Sequence, residues 1–333
     1  MSISTFGILP DGQPALRAVI SAHGLTASIV SFGARLQDLR LDGVAHPLVL
    51  GFDTLEPYLT EGKHFGAIAG RFANRIANGR AKIGGQDCQL DVNFLDKHLL
   101  HGGHEGTSTR NWTFTEQTSD SVTLTCDLAA GHMGFPGHLH IALTYKILPG
   151  PTLKLAFEAQ TDAETLCNLA QHSYFNLDGS ADITGHRLQI AAPEYTPVDA
   201  EMIPTGEIAP VDGTIFDFRE GRLLNDPRVL SVLDHNFCIA RNHQPMPVLA
   251  ARLSAGGITL DILSTEPGLQ VYAGANLHPR ATGLNGHPYG ANAGIAMESQ
   301  LWPDAPNHPN FPSALLLPGE TYRQDTLLAF SRD

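Results

Sequence analysis

Hydrophobic and polar residues alternate at every second position over much of this chain, the period of strands that turn one face to a core. Residues 17–20, 26–30 and 36–41 read as short strands turned at Gly24, Gly33 and Gly43. A looser segment over 55–63 follows. Between 111 and 160 the alternation is clean, at 112–115, 122–126, 139–145 and 153–158, and predicts consecutive antiparallel strands of a meander. Residues 181–228 carry Pro193, Pro197, Pro204, Pro210 and Pro227 with little periodicity and read as a long excursion. The chain closes on apolar stretches at 315–320 and 327–330, a plausible last hairpin.

The strand that carries Glu298 and three other predicted strands bear polar groups in the same manner, one of them placing Asp234 and Asn236 opposite the Phe237 side. By period two, Asn168, Ala170, His172, Tyr174 and Asn176 share a face. Gln270, Tyr272, Gly274 and Asn276 share another, opposite Leu269, Val271 and Ala273. In Gly294-Ile-Ala-Met-Glu-Ser-Gln-Leu-Trp, the acidic Glu298 stands within an apolar run. Pro303, Pro306, Pro309 and Pro312 then carry the chain away extended and stiff. A carboxylate on such a strand is costly to bury unless it is hydrogen-bonded or catalytic. One such Glu could simply point to solvent from an edge; three polar rows together suggest a lined cleft.

Composition supports the strand reading. Charged residues are 17% of the 333, against roughly 25% in an average protein, while Gly (33) and Pro (22) are plentiful. No fixed-period repeat interrupts the chain, and a single domain over 1–333 is expected, of all-β class. The net charge of −13 argues against a nucleic-acid partner, since phosphate contacts need clustered Lys and Arg. The N-terminus lacks the basic start and apolar core of a signal peptide, and no apolar run approaches the roughly 18 residues of a membrane helix. Cys88, Cys126, Cys167 and Cys238 are scattered without a CxxC pair. A reduced, cytoplasmic protein with no membrane partner is the expectation.

The candidate chemistry resides in Glu298, two imidazoles (His101 and His172), Asp234, the amides Asn74 and Gln270, and Arg75. Arg71, Arg75 and Arg80 lie close together in an Arg-poor chain, and their planar forks suit carboxylates, phosphates or paired sugar hydroxyls. His98, His101 and His104 are spaced by threes, but Gly102 and Gly103 break any helix that could align them, so no metal is expected. No Walker loop, dinucleotide fingerprint, HExxH or serine elbow occurs, and no cofactor is expected. An imidazole facing a carboxylate supplies a proton donor and an acceptor near neutral pH. A cofactor-free acid/base reaction on a small neutral polyhydroxyl ligand fits this set.

With those residues in view, the chain resembles the aldose 1-epimerase (galactose mutarotase) family along nearly its whole length. The resemblance is carried by GRFANRI from Gly70, LHGG from Leu100, HSYFNL from His172, DHNFC from Asp234, PGLQVY from Pro267 and ESQLWPDAPNHPNFPS from Glu298. It implies a large antiparallel β-sandwich and interconversion of α and β anomers of free aldoses such as galactose and glucose. It further implies that Glu298 is the general base and His172 the general acid. Asn74, Arg75, His101, Tyr174, Asp234 and Gln270 would line the sugar site, with Arg71 a weaker candidate. The expected partner is a free monosaccharide, and the protein a monomer or homodimer. Two other readings stay open: an epimerase-like enzyme on another or phosphorylated sugar, needing a clamp of basic residues, and a non-catalytic carbohydrate-binding protein, needing aromatic platforms where only two Trp occur.

Overall fold

The structure, a computed structural model, describes residues 3–332. Its largest sheet has nine strands and contains the predicted meander. Thr113–Gln117, Ser121–Leu128, Leu139–Leu148 and Thr152–Thr161 pair antiparallel in sequence order. The C-terminal strand Tyr322–Arg332 then inserts between Thr152–Thr161 and Ile258–Ser264. It does not close a hairpin with 315–320, because Leu315–Leu316 pairs instead with Thr165–Leu166. Two distant partners, each matching its buried alternation, satisfy that strand on both edges where one local partner would leave an edge open.

A four-stranded N-terminal sheet (Ser4–Ile8, Pro14–Ala22, Leu25–Val30, Arg35–Leu41) contributes Ile20, Ile29, Leu36 and Leu39 to the main core. A six-stranded sheet runs in the order Tyr174–Phe175, Ile295–Gln300, Gly268–Tyr272, Asp234–Cys238, Glu194–Thr196, Ala209–Pro210. Its apolar face (Phe237, Leu269, Val271, Ile295 and Met297) packs into one core with Leu143, Leu155, Ile262 and Leu328 of the large sheet. Burying a Leu or Ile this fully contributes roughly 1.5–3 kcal/mol each. The result is an antiparallel β-sandwich, as the alternation predicts. The 181–228 segment is more than a connection. It lends Arg187–Ile190 and Arg222–Leu223 to the large sheet, and Glu194–Thr196 and Ala209–Pro210 to the six-stranded one.

The opposite face of the six-stranded sheet is polar and covered by loops. Among the described residues, no helix is long and apolar enough to cross a membrane. The cysteines Cys88, Cys126, Cys167 and Cys238 are all free.

Candidate active site

Cross-strand register arranges the polar face in rows. Asn236 lies opposite Gln270, and Gln270 opposite Glu298. In the next row Asp234 lies opposite Tyr272, Tyr272 opposite Ala296, and Ala296 opposite Tyr174. Paired residues of an antiparallel sheet share a face, so both rows look the same way. The small Ala296 between two phenols leaves a hollow beside Glu298. A cavity of about 200 Å³ opens there, lined by Glu298, His172, His101, Arg75, Asp234 and Tyr174, with Asn74, Leu100, Tyr272 and Asn276 completing it. That is smaller than pockets for drug-sized ligands, about 300–1,000 Å³, and suits a single sugar ring. A larger hollow of about 480 Å³ near Leu50 and Tyr289 is lined by neither His172 nor Glu298, so chemistry and not volume locates the site.

His172 arrives on a different kind of element. The predicted polar strand 168–176 is broken into Ala170–Gln171, paired with Ile68–Ala69, and Tyr174–Phe175, paired with Ile295–Gln300. His172 sits at the switch between the two partners, its backbone N–H donating to Ala67 O at 2.9 Å. Its Nε2 lies 3.5 Å from Glu298 Oε1, and both side chains are buried. Asn168, expected on the same face, turns away. Its Oδ1 accepts from Leu301 N at 2.9 Å and its Nδ2 donates to Ala73 O at 3.2 Å.

The other wall comes from two loops held back to back. Arg75 pairs with Leu100, and His101 N donates to Asn74 O at 2.9 Å. Asn74 and His101 both have positive φ (62° and 50°), which aims their side chains out of the short ladder. Gly102 is required beside them: a Cβ there would stand 1.8 Å from Gly70 O. Asp304, which the sequence reading passed over, clamps the arrangement. Its N–H donates to Arg75 O at 2.8 Å and its Oδ1 accepts from Ala77 N at 2.9 Å.

Beside this pair in the cavity wall, Arg75 Nη2 reaches Asp234 Oδ2 at 3.3 Å and Arg75 Nη1 reaches Asn74 Oδ1 at 3.4 Å. Gln270 Nε2 donates to Asp234 Oδ1 at 2.5 Å. Gln270 thus serves the cavity by holding Asp234. Arg71 is corrected by the structure: it is buried away from the cavity. Its Nη1 donates to Pro136 O and Gly137 O, both at 2.9 Å, and to Thr165 Oγ1 at 3.1 Å. Five donors in one fork suit a knot of loop carbonyls as well as they suit a ligand. Tyr272 and Asn276 line the cavity and were visible in the row 270–276, but nothing in that row set them apart from solvated polar residues.

Electrostatics here is dominated by burial. It lowers His172 to about 4, with Asp234 partly opposing, and pushes Glu298 well above the ordinary carboxylate range. His101 and its neighbour His64 are likewise driven well below the usual imidazole value, first by burial, and then by His64 in the case of His101 and by His172 in the case of His64. A dry cavity penalises charge on either partner, which favours the His172–Glu298 pair holding a single proton between them.

Of the threefold histidine spacing only His101 faces the cavity. His98 Nδ1 accepts from Asn78 N at 2.9 Å, and His104 Nδ1 lies 2.8 Å from Asp91 Oδ2. Donor atoms of His101, His172 and Glu298 do fall within 4.8 Å of one another. His101 Nδ1, however, already accepts from Asn74 N at 3.2 Å. That bond places the imidazole proton on Nε2, making the inward nitrogen a hydrogen-bond donor and a poor metal ligand.

Fold and cavity together define an antiparallel β-sandwich protein with a buried imidazole–carboxylate pair for acid–base work on a small polyhydroxyl ligand. A statistical model of the aldose 1-epimerase family matches residues 17–329. A galactose mutarotase from Mus musculus is 40% identical over 338 residues, covering 98% of each chain. An aldose 1-epimerase from Escherichia coli is 34% identical over 341 residues, again covering 98% of each. Among solved structures, an aldose epimerase homologue from C. elegans superimposes with a TM-score of 0.87 at 33% identity, covering 95% of this chain and 99% of that one. A galactose 1-epimerase from Lactobacillus acidophilus does so with 0.86 at 28%, covering 99% and 98%. The chain belongs to the aldose 1-epimerase family.

Proposed function

We propose that this protein is an isomerase that interconverts the α and β anomers of free aldoses, galactose and glucose among them, and that residues 1–333 act as one unit. The observation that carries the reading is the buried pair of His172 Nε2 and Glu298 Oε1, 3.5 Å apart and facing one sugar-sized cavity. Glu298 takes the proton from the anomeric hydroxyl while His172 protonates the ring oxygen. The C1–O5 bond breaks, and the open aldehyde turns about C1–C2. His172 then takes its proton back from the O5 hydroxyl as O5 closes on the other carbonyl face, and Glu298 returns its proton to O1. The cycle restores both groups, so no net proton and no redox partner is consumed. Placed acids and bases contribute roughly 10² to 10⁴ each in rate. Asn74, Arg75, His101 and Asp234 hold the remaining hydroxyls, Gln270 fixes Asp234, and Tyr174 walls the ring.

The active ionic form, Glu298 carboxylate with His172 imidazolium, carries the same single proton as the neutral form. Its fraction is therefore independent of pH between the two limbs, and a histidine limb near neutrality is not expected. A phosphorylated substrate is disfavoured: Arg71 is spent on carbonyls, Arg80 Nε is bonded to Gln89 on the surface, and Arg75 is neutralised by Asp234. Free cysteines and the absence of any basic surface requirement suit a cytoplasmic enzyme working on free monosaccharide. Polarimetry tests the reading: the protein speeds the rotation drift of fresh α-galactose or α-glucose, and Glu298→Gln lowers kcat by at least two orders of magnitude while remaining folded. Near-normal turnover in that variant removes the assignment.

A further inference from the structure

The catalytic carboxylate has a second oxygen that nothing in the cavity serves. Glu298 Oε1 faces His172, but Glu298 Oε2 is buried and has no hydrogen-bond partner among the described residues. Arg75 makes no hydrogen bond to it: its Nη1 and Nη2 bond Asn74 and Asp234, and its buried Nε has no partner. An ionised oxygen left this way loses its water without compensation, and a base needs that ionised state.

Two residues on, on the same face of the same strand, stands Gln300. It is fully buried, and both its amide Nε2 and Oε1 lack partners. Two strands across, Asn236 Oδ1 is another buried atom without a partner, while Asn236 Nδ2 is turned to the buried Thr196 Oγ1 at 3.5 Å. Gly268, paired directly with Gln300, lies between them. A Cβ at Gly268 would stand 2.4 Å from Asn236 Oδ1, so the amide of Asn236 leans across the glycine toward the Gln300 row. Glu298 Oε2 and Asn236 Oδ1 are thus two orphaned acceptors on the sheet face that also carries the orphaned NH₂ group of Gln300, which has two hydrogens to give.

We infer that Gln300 is a positioning residue for the base: its amide NH₂ serves both Glu298 Oε2 and Asn236 Oδ1, holding the carboxylate ionised and aimed at the sugar. This rests on Glu298 being the general base. Asn236 aligns the amide, and Gly268 keeps the path between them open. None of the three touches substrate.

The charged and titratable groups facing Glu298 are His172, His101, Tyr174, Arg75 and Asp234, and they are unchanged by a substitution at 300. Gln300→Met keeps the volume and removes the donor. A hydrogen bond to a charged group is worth roughly tenfold to hundredfold in ionisation. The plateau kcat should fall by that factor, with KM within about twofold. The alkaline limb, where the pair loses its single proton, should rise by about one to two pH units, matching the loss in kcat. The acid limb, where His172 takes a second proton, should stay in place. A residue that merely fills space would lower thermal stability and move neither kcat nor the alkaline limb.

A folded Gln300→Met with parental kcat and limbs overturns the inference. Loss of activity in Glu298→Gln alongside it shows that the general-base reading still stands. Should Gln300→Met fail to fold, a high-resolution crystal structure of the unaltered protein decides. Gln300 Nε2 within hydrogen-bond reach of Glu298 Oε2, directly or through one water, supports the inference, and any other donor on that oxygen overturns it.

Discussion

Two sets of groups around the cavity are built on opposite principles. In one, Asn74, Arg75, Asp234 and Gln270 are already bonded to one another before any ligand arrives. In the other, His172 and Glu298 stand 3.5 Å apart, with His172 Nδ1 and Glu298 Oε2 unpartnered among the described residues. Groups that hold hydroxyls gain from being pre-aligned, since little entropy is then lost on binding. Groups that must gain and lose a proton gain from having similar affinities for it in a dry setting, and strong mutual pairing would lock one state. Pre-organisation therefore belongs to binding at this site, and poise belongs to chemistry.

The sharpest test of that contrast is His172→Asn, which keeps a polar group but no acid. It should cut kcat by roughly 10² to 10⁴ with KM little changed, measured polarimetrically. A loss confined to KM would place His172 among the binding groups. Next in size is an effect on stability. His64, His101 and His172 are buried neutral, with folded-state values below the 6.5 of an unfolded imidazole. A group whose folded value is depressed binds its proton in the unfolded chain first. Stability is then fully present above pH 6.5 and lost as pH falls toward 4, by about 3 kcal/mol from His172 alone at pH 4. Urea denaturation at pH 7 and pH 4.5 reads this, and equal midpoints would show that the cluster is wetter than its packing implies.

Asp234→Ala probes the bonded set. It frees Arg75 and Gln270 together, and KM should rise roughly tenfold to hundredfold while kcat falls much less. A fall in kcat alone would mean that Asp234 acts on the proton pair and not on the sugar. The smallest expected change is none: kcat/KM should be level across neutral pH, because the shared proton makes the active fraction constant. A limb centred near 6.5 would show instead that His172 titrates as an ordinary surface imidazole.

Much of this was legible in the chain by itself, because period two is a local property. Leu269, Val271, Ile295 and Met297 announce a buried face, and Gln270 and Glu298 announce the polar one, without knowledge of any partner strand. The motifs around Gly70, Leu100, His172, Asp234, Pro267 and Glu298 likewise carried the family. Tertiary structure alone decided what depends on distant chain. It set which way Arg71 turns, since the carbonyls that capture it lie at 128–137 and the hydroxyl at Thr165. It broke the 168–176 strand between two partners, moving Asn168 out of the cleft and leaving His172 within reach of Glu298. It seated Tyr322–Arg332 between strands that begin at Thr152 and Ile258. Alternation says which face a side chain takes. Which groups meet across that face follows from register and loop path, and those are settled only when every backbone hydrogen bond and every buried charge has found its partner.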